Sequence, residues 1–445
     1  MKTALHVLGW VAFLLGAAFV YILTRVWFMW FPVMYFPKPT EMHPPIPQYS
    51  LRTFGVPVRA GFAKRDITPS GIPWLGGYMP PHPAFVVDSR LWVKSLALKD
   101  AHGNLVVFVS CDLVGMLPTD VAEIKARIKG VPPDHILIMA THTHSGPDTI
   151  GFWLGRRKAY MRHLRDQVAA AINESIDSLG PAAVRYGRGV SPYGEKNVPN
   201  WANGSDENPP DPQIAVIQVL MKHVPRNRLV TLVNWSCHPD IAEGFAVTGD
   251  FPYFLSERLK RRLGSETMFV QGAIGAVQPE AGNNDDKSAQ TFLERNLGER
   301  LGDKVIDIMR HPLPMKNADI AVTGRTVRAP FENTQDIAFA LHHHMVPNLL
   351  DAHGDIVTRV ARVTLGPMTI LTVPGELFPK IWWRVKPLMP GKTHMVFGLC
   401  NAEFGYILLP EDVRSGKHRY HVSVSIGPTF GQRTYEALRA LAVQK

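Results

Sequence analysis

Residues 135–148 read HILIMATHTHSGPD, and the reading of this stretch decides the fold. Its first half is apolar without alternation, which suits a strand covered on both faces rather than one half in water. The run NLVVFVSCDL, residues 104–113, has the same character. Between them PTDVAEIKARIKG, residues 118–130, has apolar residues at helical spacing, with Thr119 as the expected cap and Gly130 as the stop. Downstream, QIAVIQVLMK (213–222) and LVTLVNWSCH (229–238) predict two strands joined by a turn at HVPRNR. PYFLSERLKRRLG (252–264) predicts an amphipathic helix closed by Gly264, and TMFVQGAIGA (267–276) a further strand. Long helices are expected over about 156–179 and 288–311, and the last third is strand-rich. Buried strands mixed with helices imply the α/β class: layered mixed β-sheets with flanking helices.

The 445 residues are 46% hydrophobic and 19% charged, enough for a large core and incompatible with wholesale disorder. Cys111, Cys237 and Cys400 show no C-x-x-C spacing, so neither a disulfide framework nor a thiolate zinc site is expected. The net charge of +10 is dispersed along the chain, and no nucleic-acid partner is expected. At the N-terminus the run from Val7 to Thr24 carries no charge and has the length to cross a bilayer. It continues past Gly16-Ala17-Ala18, which favours an uncleaved transmembrane helix over a cleaved signal. Trp27, Trp30 and Tyr35 suit an interfacial belt. The expected organisation is an anchor with its interfacial segment at 1–36 and a spacer at 37–55 with five prolines between Phe36 and Ser50. The globular domain follows over 56–445, and its expected location is the extracytoplasmic side of the membrane.

Four strand ends carry groups able to do chemistry. In a strand, His142 and His144 would project from one face, and neutral imidazoles there can hold a zinc ion. VNWSCHPD places His238 at the end of another apolar strand. In LTVPGELF, Glu376 follows an apolar run, where a charge needs a partner or a metal. CNAEFGYILLPEDV contains Tyr406. Singly, each has a plain alternative: hydrogen-bonded histidines, a core cysteine beside His238, a surface carboxylate. The three histidines 342–344 read as a solvated face, since consecutive side chains diverge. IWWRV (381–385) reads as packing, or as the wall of an acyl-chain pocket.

Taken in order, THTHSGP, CHP, TGDFP, QGAIGAVQPE, VPGE and GYILLPED resemble the neutral/alkaline ceramidase family, as do AGFAKRDITP and VFVSCDL nearer the start. The resemblance spans about Val56 to Phe430. It implies a zinc-dependent hydrolase of an N-acylated lipid amide, with His142, His238, Glu376 and Tyr406 as zinc ligands. It also implies that His144 orients the ligands or polarises substrate, and that Tyr420 in RYHVSVSIGP stabilises the oxyanion. Two departures stand out. Ala276 replaces the family's aspartate, and Gln278 stands where some ceramidases have a proposed catalytic serine, so water activated at zinc is the expected nucleophile and Gln278 an expected substrate-binding group. No room is expected after the last motif for the C-terminal β-sandwich of full-length ceramidases. Hydrolysis of another amide or an ester, or lipid binding without catalysis, are the alternative functions.

Overall fold

Continuously apolar strands need cover on both faces, and the chain supplies it with layers. The computed structural model describes residues 46–153, 155–194, 200–223, 226–280, 287–333 and 350–444. The expected anchor at 1–36, the first part of the spacer and the histidines 342–344 lie outside the described residues. Among the described residues, no helix is long and apolar enough to cross a membrane. The end of the spacer docks on the domain: Phe54 is buried, and Asn227 Nδ2 donates to Tyr49 O at 3.2 Å.

The main sheet has eight strands: β1 Val56–Asp66, β2 Trp92–Lys99, β3 Leu105–Cys111, β4 Ile136–Ala140, β5 Gly180–Val190, β6 Gln213–Met221, β7 Arg228–Trp235 and β8 Ser265–Gln271. Their order is β8-β7-β6-β5-β1-β2-β3-β4. The pairs β3/β4 and β7/β8 are parallel and the others antiparallel. A second group comprises β9 Ile320–Pro330, β10 Asp355–Leu365, β11 Met368–Thr372, β12 Glu376–Leu377, β13 Thr393–Phe397 and β14 Tyr406–Ile407. There β9-β10-β11-β13 form a four-stranded sheet, and β12 pairs with β14.

Alternate residues sort into separate layers. Phe62, Leu96, Phe108, Leu137 and Ile217 of the main sheet pack with Val363, Ile370 and Phe397 of the second, forming a core between sheets. The opposite face of one half meets α1 (Pro118–Lys125) and α2 (Lys158–Asp177) through Ile124, Leu164 and Val168. The other half meets α3 (Asp250–Leu263) and α4 (Lys287–Arg310) through Phe251, Leu255 and Leu301. The second sheet is covered by α5 (Pro379–Val385) and α6 (Pro428–Ala442) through Ile381, Phe430 and Leu438.

Twist brings the two edges of the main sheet together. At about 20–25° per strand pair, the seven pairs from β8 to β4 accumulate a turn of about 140–175°. Strands of opposite sense along the ladder therefore meet with their carboxyl ends side by side. Ser110 Oγ of β3 donates to Phe269 O of β8 at 2.7 Å. Gln271 Nε2 donates to Thr141 O at 2.9 Å and to Cys237 O at 2.8 Å, tying the ends of β4, β7 and β8. The site lies at this junction.

Two local expectations are corrected. Helix α1 starts from Leu117, with Pro118 at its first position, so Thr119 is not its cap. It ends at Lys125, before Gly130. The strand expected through His144 stops at Ala140, because His142 takes a left-handed φ of 72°.

Candidate active site

The break after β4 is what makes the histidine pair useful. A left-handed backbone at a non-glycine residue is strained and persists only where its surroundings enforce it. Here His142 N donates to Leu113 O at 2.8 Å, and Nδ1 donates to Val114 O at 2.6 Å. With its proton on Nδ1, the ring turns Nε2 inward as an acceptor. His144 follows, held by its backbone N–H on Pro239 O at 3.2 Å. Its Nε2 lies 3.4 Å from His142 Nε2, so His144 is the donor in that pair. Gly77, at φ 137°, passes so close that a Cβ there would fall 2.3 Å from the His144 ring.

His238 follows β7 by the same logic. Its Nδ1 donates to Val277 O at 2.7 Å, and Nε2 meets Glu376 Oε2 at 2.9 Å. Glu376 Oε1 stands 3.5 Å from His142 Nε2. The short parallel ladder β12/β14 sets Glu376 directly beside Tyr406. His142, His238, Glu376 and Tyr406 are all buried. The structure thus brings the four expected ligands together. Ligand nitrogens of His142, His144 and His238 also lie within 4.8 Å of one another, so a three-histidine set is a second way to hold a cation.

Electrostatics follow from burial and from this one carboxylate. Burial disfavours the charged form of His238, but the bond to Glu376 and its charge outweigh that and push the imidazole up to about 8. Burial acts to raise Glu376, yet the facing imidazoles hold its carboxyl well below the ordinary range. Burial and then the neighbouring rings His142 and His238 push His144 well below its ordinary value, which leaves it neutral. Burial and the Glu376 charge push the Tyr406 phenol up. Asp240 beyond His238 is raised to about 6 by burial.

Above these groups opens a cleft of about 920 Å³, its open mouth included. Its walls are largely apolar, with Val114, Leu117, Phe152, Trp153, Phe331 and Ile426 among them. Tyr420 lines it too, 61% exposed, its ring 6.1 Å from that of Tyr406. Gln278 does not line the cleft. It is exposed, and its amide nitrogen meets Asp240 Oδ2 at 2.5 Å. Ala276 takes a φ of 60°, beside Gly275, where a Cβ would clash with Phe378 at 2.4 Å. Trp382 packs inside the domain and bonds Asp211 at 2.6 Å, so it is core and not cleft wall.

Two residues that shape the site carried no assignment from sequence. Gln271 sits in a quoted motif, but its bridging role depends on the edges of the sheet meeting. Asp148 ends the opening stretch, and its carboxylate accepts from the backbone N–H of Ile150, Gly151, Trp153 and Gly155 at 2.6–3.1 Å. That fixes the loop bearing Phe152 and Trp153. An aspartate followed by a glycine-bearing loop is a weak but readable signal for such a turn.

No family model matches the chain. In sequence it is 27% identical over 154 residues to a neutral ceramidase of Pseudomonas aeruginosa. The match covers 31% of this chain and 23% of that protein's length. In structure it resembles a crystal structure of neutral ceramidase from Pseudomonas aeruginosa with a TM-score of 0.67 at 18% identity, over 87% of this chain and 74% of the other. A structure described as ceramidase complexed with C2 gives 0.68 at 17% identity, over 87% and 75%. The chain is thus similar in part of its sequence to a neutral ceramidase and shares the fold of these ceramidase structures over most of its length.

Proposed function

We propose that the protein is a zinc-dependent hydrolase that cleaves the amide bond of an N-acylated, ceramide-like lipid. The observation that carries this reading is the convergence of two inward-facing Nε2 atoms and one carboxylate at the floor of an apolar cleft. Two imidazoles and a carboxylate are a donor set that suits zinc. Both Nδ1 protons are anchored on carbonyl oxygens, so each ring presents its Nε2 to an ion, at His238 in exchange for the proton shared with Glu376. In this reading His142, His238 and Glu376 hold the zinc and the buried Tyr406 completes the set. A fourth ligand as weak as a neutral phenol suits a catalytic rather than a structural site. When bound, such an ion polarises a carbonyl and acidifies water near neutral pH.

The chain's own groups would do the rest. His144, neutral and facing the cleft, donates a hydrogen bond where negative charge develops, and Tyr420 does the same from the lip. The apolar walls take the acyl chain and exclude water. With Gln278 turned away from the cleft, no side-chain nucleophile stands at that point, and the reading is direct attack by water. The uncharged run from Val7 to Thr24 supports an anchor that keeps the domain at a lipid surface, and the resemblance to ceramidases, rather than the flanking charges, points to the extracytoplasmic side. Protease added outside intact cells should then digest the domain.

Elemental analysis of the full chain, with fatty-acid release from a panel of N-acyl lipids, tests the assignment. Stoichiometric zinc and chelator-sensitive release are expected. Zinc-free protein that hydrolyses unimpaired would overturn it. Lipid binding with no release at any zinc loading would leave the binding-only alternative instead.

A further inference from the structure

Tyr420 stands on a helix of five residues, Arg419–Ser423, which is too short to be stable on its own. The last carbonyl oxygens of a helix have no partner inside it and need donors from elsewhere. Here the donor is Asn333. Its Nδ2 donates to Val422 O at 2.9 Å, to Ser423 O at 2.8 Å and to Ser425 O at 2.8 Å, so one amide nitrogen gathers three carbonyls of the chain just after Tyr420. Three acceptors around one atom require that atom to be the nitrogen, which fixes how the carboxamide faces. Ser423 Oγ in turn donates to Tyr420 O at 2.7 Å, which ties Tyr420 to the clamped residues. Asn333 lies three residues past the end of β9, and Glu332 before it is fastened to the same stretch. Glu332 N donates to Ile426 O at 3.0 Å, and Glu332 Oε2 accepts from Thr429 N at 2.8 Å. On its other side the turn meets β14, where Tyr406 N donates to Val424 O at 3.0 Å. Tyr406 itself is held by the β12/β14 ladder, independently of Asn333. Tyr420, Val424, Ser425 and Ile426 line the cleft, whereas Asn333 stands behind them.

We propose that Asn333 is a positioning residue for hydrolysis: it sets the turn that carries Tyr420, so that the phenol meets the charge that develops on the cleaved amide. This rests on the reading of the cleft as a lipid-amide site with Tyr420 as a donor at its lip. Tyr420 is 61% exposed, so where its phenol points follows from where the turn sits. A donor stabilises a developing charge in full only when it is already aimed at it. A displacement of about 1 Å at such a group can cost about a hundredfold in rate, even when the change that causes it is remote. Asparagine suits the task because its short side chain carries two N–H donors on one nitrogen. An aspartate of the same size would set an acceptor against three acceptors.

The test is a double-mutant cycle in the zinc-loaded full chain, read as kcat for fatty-acid release from a short-chain ceramide, with bound zinc measured in every variant. Tyr420→Phe should lower kcat by about 10²–10³-fold, the usual effect of losing one donor to a developing charge. Asn333→Ala should lower it by about tenfold or more, and by no more than Tyr420→Phe does, with zinc content unchanged. In the Tyr420→Phe background the alanine change should cost about twofold or less, because no hydroxyl is left to place. A residue that only stabilises the fold would give the same factor in both backgrounds, or none in either. Each of those results overturns the proposal. Asn333→Ser, whose hydroxyl still donates to one carbonyl, should lose less than the alanine variant and takes its place in the cycle if alanine does not fold. Turnover intact in Tyr420→Phe would remove the role of Tyr420 and this proposal with it, while zinc-dependent release would stand. Native protein that releases no fatty acid from any N-acyl lipid would overturn the hydrolase reading itself.

Discussion

Replacing Glu376 by glutamine tests the electrostatics of the site in one step. In the metal-stripped protein the carboxylate holds the His238 imidazole at about 8, against an ordinary 6.5. At about 1.36 kcal/mol per pH unit, that difference is about 2 kcal/mol. The folded-state value lies above the unfolded one, so this stabilisation is complete below pH 6.5 and is lost as pH rises through 8. Glu376→Gln keeps the size of the side chain and removes its charge. Burial at His238 is then opposed only by the Asp240 charge and the Val277 carbonyl, which rank below the Glu376 interactions, so most of the contribution is lost. Asp240, raised to about 6, and Asp250, raised to about 7, both by burial, also make the fold less stable as pH rises from the ordinary carboxylate range through those values. The readout is therefore the difference between the native chain and the variant. Urea denaturation in chelator at pH 6, 7, 8 and 9 should show the native advantage shrinking by about 2 kcal/mol across the range. Metal affinity of the native protein should move the other way, rising up to about tenfold per pH unit as far as about pH 8, because the ion must displace the His238 proton. A native–variant difference that stays flat from pH 6 to 9 would refute the reasoning, as would metal affinity independent of pH between 6 and 8.

His142→Ala and His238→Ala should lose stoichiometric zinc and fatty-acid release together, as read by elemental analysis and product assay. His144→Ala should keep its zinc and slow turnover by about 10²–10³-fold, the usual effect of removing one donor to a developing charge; loss of zinc there, with retention in Glu376→Gln, would establish the three-histidine set instead. Gln271→Leu strips the donor from two buried carbonyls, Thr141 O and Cys237 O, and should cost about 1–3 kcal/mol for each in denaturant titration. Gln278→Ala should leave turnover within about twofold, since the side chain is exposed and outside the cleft; a large loss would place Gln278 back among the substrate-binding groups.

What the sequence could reveal divides along a physical line. Local patterns read well: the apolar runs that became β3, β4, β6, β7 and β8 are buried on both faces as their composition requires. Gly264 ends α3 at a φ of 65°, as a glycine after a periodic run should. The four ligand candidates were legible because a charged or polar residue at the end of a buried strand needs a reason to be there. How they meet was not legible. The shared face expected of His142 and His144 came from strand geometry, whereas the chain leaves the strand at Ala140 and a left-handed histidine brings the rings within 4.9 Å of each other. No residue type signals that turn, because the hydrogen bonds that enforce it come from Leu113 and Val114 on another segment. Glu376 and Tyr406 become neighbours through a ladder of two residues per strand, below the length at which periodicity can be detected. Gln278 reads as a site residue while its motif is taken as a unit, but the chain turns at Ala276 and leaves it exposed beside Asp240, outside the cleft. Glu403 is the converse case. Its position between Asn401 and Gly405 suggests a solvated loop carboxylate, and only the packing against Gly115 and Met116 shows it to be a buried acid in the cleft wall. Candidate ligands for an ion are recognisable one at a time; the residues that line the cleft become visible only once distant segments have been packed against each other.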